Sequence, residues 1–167
     1  MRQYFGTDGL RGVANEEPMT PRTVLRLGRA AGYVFRQHGT NTVLVGRDTR
    51  VSGDMLESAL IAGLCSVGTN VCRVGVIPTP AIAHLTRVLS AQAGIVVSAS
   101  HNPMPDNGIK FFNQDGTKLD DALEEEMDRV LSEDAHRHVN PTAEGVGRVI
   151  ERLNAVERYL KFVELQV

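Results

Sequence analysis

Four short stretches of this 167-residue chain hold the residues that could do chemistry. In Ser98-Ala99-Ser100-His101-Asn102-Pro103 a serine hydroxyl is followed by an imidazole and an amide, directly behind the β-branched run at 94–98. Loops at the C-terminal ends of strands are where α/β sheets bind ligands, although serine, asparagine and proline also build ordinary polar turns. Phe5-Gly6-Thr7-Asp8-Gly9-Leu10-Arg11-Gly12 sets three glycines, a hydroxyl and a guanidinium within eight residues. Such a backbone can fold tightly against a ligand, and the arginine fork pairs well with phosphate. A glycine-rich turn with no ligand has the same composition. The spacing is neither that of a Walker loop, whose lysine is missing, nor G-x-G-x-x-G. Gly46-Arg47-Asp48-Thr49-Arg50 closes a strand, and Asp48 with Arg50 reads at least as well as a local ion pair. In Asn107-Gly108-Ile109-Lys110-Phe111-Phe112 a lysine sits on a strand, where the plain reading is a solvated edge charge.

Helical and extended segments alternate around these stretches. Thr20-Pro21 offers an N-cap followed by a proline at the first helical position. Val24, Leu27, Ala31, Val34 and Phe35 then recur at helical spacing up to Gly39. Residues 42–46 form a short β-branched run that reads as a buried strand. Ser52 is placed to cap a second helix that ends at Gly68, and 71–76 is the next strand. Pro80 opens a third helix. Strands at 94–98 and 109–112 follow, and their connection is too short for a helical crossover, so the pair is expected to run antiparallel. An acidic amphipathic helix carries Leu119, Leu123, Met127, Val130 and Leu131. The alternation predicts an α/β fold, a three-layer sandwich with a mixed, mostly parallel sheet between helices. Residues 1–135 are expected to form one domain, 136–150 a polar linker, and 151–167 the first helix of a truncated second domain.

Composition narrows the function classes. A hydrophobic fraction of 42% and a charged fraction of 23% belong to a folding protein and exclude a disordered one. With a net charge of -2 there is no cationic excess for a nucleic-acid backbone or an anionic membrane, so neither partner is expected. No apolar stretch has the length of a bilayer span, and no apolar run follows the basic residue at the N-terminus. Cys65 and Cys72 match no zinc or redox spacing and read as buried free thiols, which places the protein in the cytoplasm as an expectation.

Taken in order, FGTDGLRG, GRDTRVSG, the pair Thr79-Pro80, SASHNP and NGIKFF resemble the α-D-phosphohexomutase superfamily over roughly residues 1–135. The opening FGTDGLRGVAN is most similar to the branch that acts on glucosamine phosphates. The resemblance implies the first domain of such an enzyme, with Ser100 phosphorylated. The phosphoserine would interconvert glucosamine 6-phosphate and glucosamine 1-phosphate through a bisphosphate, with glucose or glucosamine 1,6-bisphosphate as activator or intermediate. It further implies that Arg11 supplies positive potential, that His101 and Lys110 stand beside the phosphoserine, and that Lys110 is the general acid/base. Thr7, Asp8, Gly9 and Asn102 would shape the pocket. The family holds Mg2+ with a D-x-D-x-D loop plus one phosphoserine oxygen. No aspartate of this chain belongs to such a triplet, so Ser100 is the one metal ligand expected here, and the chain alone is expected to be inactive.

A small sugar phosphate is the expected partner, together with a second copy of the chain in a homodimer formed through this domain. Three rivals stand beside this reading: a phosphomannomutase or phosphoglucomutase fragment, a non-catalytic dimerisation or regulatory module, and a serine hydrolase built on Ser100 and His101. The last is the most remote, because neighbours in an extended loop point apart and no G-x-S-x-G elbow is present.

Overall fold

The computed structural model describes residues 3–7 and 9–166. Its elements are β1 (Leu10–Val13), α1 (Pro21–Gln37), β2 (Thr42–Arg47), α2 (Gly53–Ser66), β3 (Asn70–Val76), α3 (Thr79–Val88), β4 (Ala93–Val97), β5 (Asp106–Asn113), α4 (Asp121–Glu133), β6 (Val149–Glu151) and α5 (Ala155–Glu164). Among the described residues six strands make one sheet in the order β1-β5-β4-β2-β3-β6. The pairs β2–β3, β2–β4 and β3–β6 are parallel, and β4–β5 and β1–β5 antiparallel. The mixed, mostly parallel sheet is thus present, and the antiparallel turn falls where the short SHNP connection requires it.

Alternation along the strands divides the apolar residues between two cores. Val43, Val45, Ile95, Val97, Ile109 and Phe111 pack with α1, α2 and α4 on one face. Leu44, Cys72, Val74 and Val96 pack with Ile82 and Leu85 of α3 on the other. Three layers result. α1 begins as its sequence dictates, Thr20 Oγ1 accepting from Thr23 N at 3.2 Å. α2 does not: Ser52 has helical backbone angles and caps nothing. Its hydroxyl accepts from the Asn107 side chain at 2.9 Å instead. β1 is a further difference, since the stretch read as a glycine-rich loop runs partly as a strand at the sheet edge.

The stretch expected as a linker, 136–150, differs from that expectation. Arg29 reaches from α1 to the carbonyls of His136 and Val139, both at 3.1 Å. Gly147 N donates to Cys65 O at 2.9 Å, and β6 then extends the sheet beside β3, with Val149 opposite Val71. Beyond it α5 lies on α3. Ala155 is buried in the second core, and Phe162 stacks on His84 with ring centroids 3.7 Å apart. Burial, and secondarily the charge of Arg87, lowers the His84 pKa and so disfavours the charged form of the stacked imidazole. Backbone hydrogen bonding and apolar packing, which polar composition does not reveal, fasten this segment.

α1 and α2 cross with almost no side chain between them. A Cβ on Gly63 would stand 2.2 Å from Leu25 O, and one on Gly28 2.3 Å from Leu60 O, contacts that no rotamer change relieves. Gly63→Val is therefore expected to destabilise the chain by at least about 2 kcal/mol, on the scale of overpacked cores. Urea unfolding checks this, with the exposed Ser58→Ala as a control in the same helix.

Candidate active site

Ser100 follows β4 at the end of the sheet where the parallel strands finish. Its hydroxyl is exposed, while Ala99 before it is fully buried. Its φ of 58° lies in the left-handed region, which a serine adopts only where its surroundings compensate. Those surroundings are a set of hydrogen bonds centred on Arg50. Arg50 Nε donates to Asp48 Oδ2 at 3.1 Å. Nη1 donates to the carbonyls of Pro103 (2.7 Å) and Asp106 (2.9 Å), and Nη2 to those of Ser100 (3.0 Å) and Asn102 (2.8 Å). All five N–H groups of the guanidinium are thereby used. The other oxygen-side link runs through Asp48, whose Oδ2 accepts from Ser98 Oγ at 2.6 Å, and Ser98 Oγ in turn accepts from Ser100 N at 3.0 Å. Asp48 and Arg50 do form the local ion pair that GRDTR allowed, and the pair also holds the serine loop. Arg47 serves elsewhere, lying against Asp54 and 3.5 Å from the buried Glu57.

The strands behind the loop bring the other candidates in. Ser98 N donates to Gly108 O at 2.8 Å, and Gly108 pairs with Arg11 of β1. Gly108 has no room for a side chain, since a Cβ would meet Ser98 O at 2.9 Å and Leu10 O at 3.0 Å. Arg11 spends one N–H on Asn102 Oδ1 at 3.1 Å, and Asn102 Nδ2 donates to Asp106 Oδ2 at 2.8 Å. Among the described residues Arg11 has no other hydrogen-bond partner. Lys110 is not an edge charge: β5 lies inside the sheet between β1 and β4, and Lys110 pairs with Val96 and is half-buried. Its side chain leaves the face opposite to Ile109 and Phe111, and it shares that face with Arg11 by the strand register.

Gly9 makes this approach possible. With φ of 83°, and with a hypothetical Cβ only 2.1 Å from Ile109 O, it admits no other residue without displacement of the backbone. Two cavities meet at it. One of about 330 Å³ is lined by Tyr4, Gly6, Thr7 and Arg11; the other, of about 240 Å³, by Thr79, Lys110, Lys118 and Glu124 with Phe111 and Phe112. Asp8 falls outside the described residues. Thr79, at the head of α3, and Lys118 were not singled out as site residues from the sequence. A hydrogen bond to Asp121 at 2.8 Å raises the Lys118 pKa, and the nearly buried Glu124 lies 3.6 Å away. Nothing in the spacing of Lys118 marks it, for it reaches this cavity from the turn after β5.

His101 is exposed, with Nδ1 3.4 Å from Ser100 Oγ. The two side chains do not point apart as they would in an extended loop, because Ser100 is left-handed there. The separation is nevertheless long for an O–H···N bond, and among the described residues no carboxylate is hydrogen-bonded to His101. Arg11 thus meets the serine loop at Asn102, two residues beyond Ser100, and Lys110 lies on the same sheet face as Arg11. Among the described residues no three His, Cys, Asp or Glu side chains converge as a metal-holding group, and no helix is long and apolar enough to cross a membrane.

A sequence profile for the phosphoglucomutase/phosphomannomutase alpha/beta/alpha domain I matches residues 2–138. The phosphoglucosamine mutase of Magnetococcus marinus is 56% identical over 164 residues, which are 98% of this chain and 34% of that protein. That of Brevibacillus brevis is 50% identical over 170 residues, covering 100% of this chain and 38% of its own. The chain spans about a third of the length of the curated relatives it matches. A solved phosphoglucomutase/phosphomannomutase family protein from Burkholderia thailandensis superposes with a TM-score of 0.80 at 27% identity, over 94% of this chain and 34% of that one.

Gly9→Ala tests how far the site depends on the approach of β1 to β5. The substitution is expected to cost at least about 2 kcal/mol, through the left-handed backbone and the collision with Ile109 O together. It should also shift the amide signals of Arg11 and Lys110 in NMR spectra. Wild-type stability with unmoved signals would show that the strand pair tolerates a side chain there.

Proposed function

The chain belongs to the phosphoglucomutase/phosphomannomutase family, and on that premise we propose that it carries the phosphoryl-transferring serine of a phosphoglucosamine mutase. The reaction is the interconversion of glucosamine 6-phosphate and glucosamine 1-phosphate. Identity of 50% and 56% along the whole chain to proteins of that name supports the choice of sugar. The observation that carries the mechanism is the exposed Ser100 hydroxyl, held on a pinned backbone in the loop that Arg11 meets at Asn102. Residues 1–135 are proposed as the unit bearing this chemistry, onto which β6 and α5 pack.

In the forward step a sugar hydroxyl oxygen attacks the phosphorus of phosphorylated Ser100. The new O–P bond forms as the P–Oγ bond breaks, and Oγ leaves with the electron pair. The hydroxyl proton passes to Lys110, which is proposed as general acid/base and hands that proton on to Oγ. The product is glucosamine 1,6-bisphosphate, and the reverse transfer from its other phosphate restores phosphoserine. A phosphoserine carries roughly -1.5 to -2 charge near neutral pH, and transfer spreads that charge over three oxygens. Arg11, with four N–H groups unspent on described residues, is suited to meet it. His101, at 3.4 Å from Oγ, is a second donor when its Nδ1 carries the proton. Thr7, Gly9 and Asn102 line or brace the space, and Asp8 belongs to the same loop. The family resemblance brings Mg2+ with it, but the described residues do not build a metal site, and the one oxygen they would contribute lies on the phosphate of Ser100.

The test uses a polypeptide of the relatives' full length. Mass analysis is expected to localise a phosphoryl group to Ser100, and Ser100→Ala to abolish sugar-phosphate interconversion. Lys110→Met is expected to lower turnover by about a hundredfold or more if the proton passes through it. Undiminished turnover in Ser100→Ala would sink the whole reading, and near-normal turnover in Lys110→Met would remove the base.

A further inference from the structure

We propose that Arg50 is the positioning residue of the serine loop, and that it acts by filling a cage of main-chain oxygens rather than by binding phosphate. The inference rests on the phosphoserine reading given above, and it concerns a residue to which that reading gives no part. An arginine near a phosphoryl-carrying serine invites assignment as an anion ligand. The geometry argues otherwise. The five N–H groups of Arg50 are all donated, four to the carbonyls of Ser100, Asn102, Pro103 and Asp106 and one to Asp48. Its side chain is only 10% exposed. A phosphate could recruit it only by breaking the loop, whereas Arg11 spends only one of its N–H groups on the described residues.

Both backbone polar groups of Ser100 end on the same ion pair. The carbonyl accepts directly from Arg50, and the N–H reaches Asp48 through the hydroxyl of Ser98. One charge pair therefore fixes the peptide units on either side of the nucleophile, and with them the left-handed φ that aims the hydroxyl outward. The four carbonyls converge from a segment that has no regular secondary structure through Pro105. A guanidinium suits them because it is a planar fork with donors in five directions. An ammonium has three donors at one point and cannot reach four carbonyls and a carboxylate together. Lysine is thus expected to fail at this position although it preserves the charge.

The experiment compares wild type, Arg50→Lys and Arg50→Ala of this chain by hydrogen exchange and NMR. The hydrogen-bonded amides of Ser100, Asn102 and Asp106 are expected to exchange at least about tenfold faster in both variants, with the exchange of β4 unchanged as a control for folding. The Ser100 amide signal should move. Guanidinium ion at tens of millimolar is expected to restore slow exchange in Arg50→Ala, and ammonium at equal concentration is not. Ser98→Ala supplies a milder lesion should either variant fail to fold, and it is expected to loosen the Ser100 amide alone. Wild-type exchange in Arg50→Lys would overturn the cage in favour of a purely electrostatic role. Equal rescue by ammonium, or an unaltered Ser100 amide in Ser98→Ala, would do the same. Incubation with glucose 1,6-bisphosphate and mass analysis separates the two levels in the full-length polypeptide. Labelling of Ser100 that falls in Arg50→Lys supports both. No labelling of the wild type counts against the phosphoserine reading, and the exchange results still decide the cage.

Discussion

A guanidinium surrounded by four carbonyl oxygens and a carboxylate is the constraint on which the exposed end of the sheet depends. The loop after β4 has to leave the sheet, present a hydroxyl and return as β5 within a few residues, so its carbonyls cannot be satisfied by ladder bonding. Arg50 satisfies them from outside the loop, entering from the end of β2. Charge-assisted bonds of this kind are stronger than neutral ones, and they are shielded here by a side chain that is nearly buried. Asp48 completes the arrangement by neutralising the guanidinium and receiving Ser98. The serine is therefore presented by a rigid support although the segment has no regular structure.

A second constraint comes from closeness rather than charge. β1, β5 and β4 approach one another at Gly9 and Gly108, where side chains would collide with main-chain oxygens. The absence of those side chains leaves the face of the sheet there to Arg11 and Lys110, which lie on neighbouring strands. Two cations are thus brought near each other by strands whose opposite face, at Leu10, Ile109 and Phe111, is fully buried in the larger core. Core packing fixes the register, and a register shift of one residue would turn both cations away from the loop.

Much of this was legible in the residues. The periodicities located α1 to α4, and the short connection before Asn107 announced the antiparallel pair. Arg11 reaches the serine loop at Asn102, and His101 lies beside Ser100. What escaped was whatever depends on main-chain partners. Arg50 looks in sequence like one half of a surface ion pair, because four of its five bonds go to carbonyls that every residue possesses. Ser52 carries the signature of a helix cap yet serves Asn107, since a buried amide from another strand competed for the same hydroxyl. Lys110 resembled an edge charge because β1, read as a loop, was not counted as the strand beyond it. β6 has three exposed residues and no alternation, so nothing in Val149, Ile150 and Glu151 distinguishes it from coil.

That last strand bears on how the molecule is assembled at the ribosome. β3 is flanked by β2 on one side, and its other side is closed by β6, which lies far downstream in the chain. Every strand and helix of the serine-bearing layers is synthesised before the residues that cover this border. A chain that folds its first five strands as they emerge would carry β3 with one side of amides and carbonyls unpaired until β6 follows. Such a border is an adhesive surface for other nascent chains, and it is removed only when the segment following Gly147 reaches it.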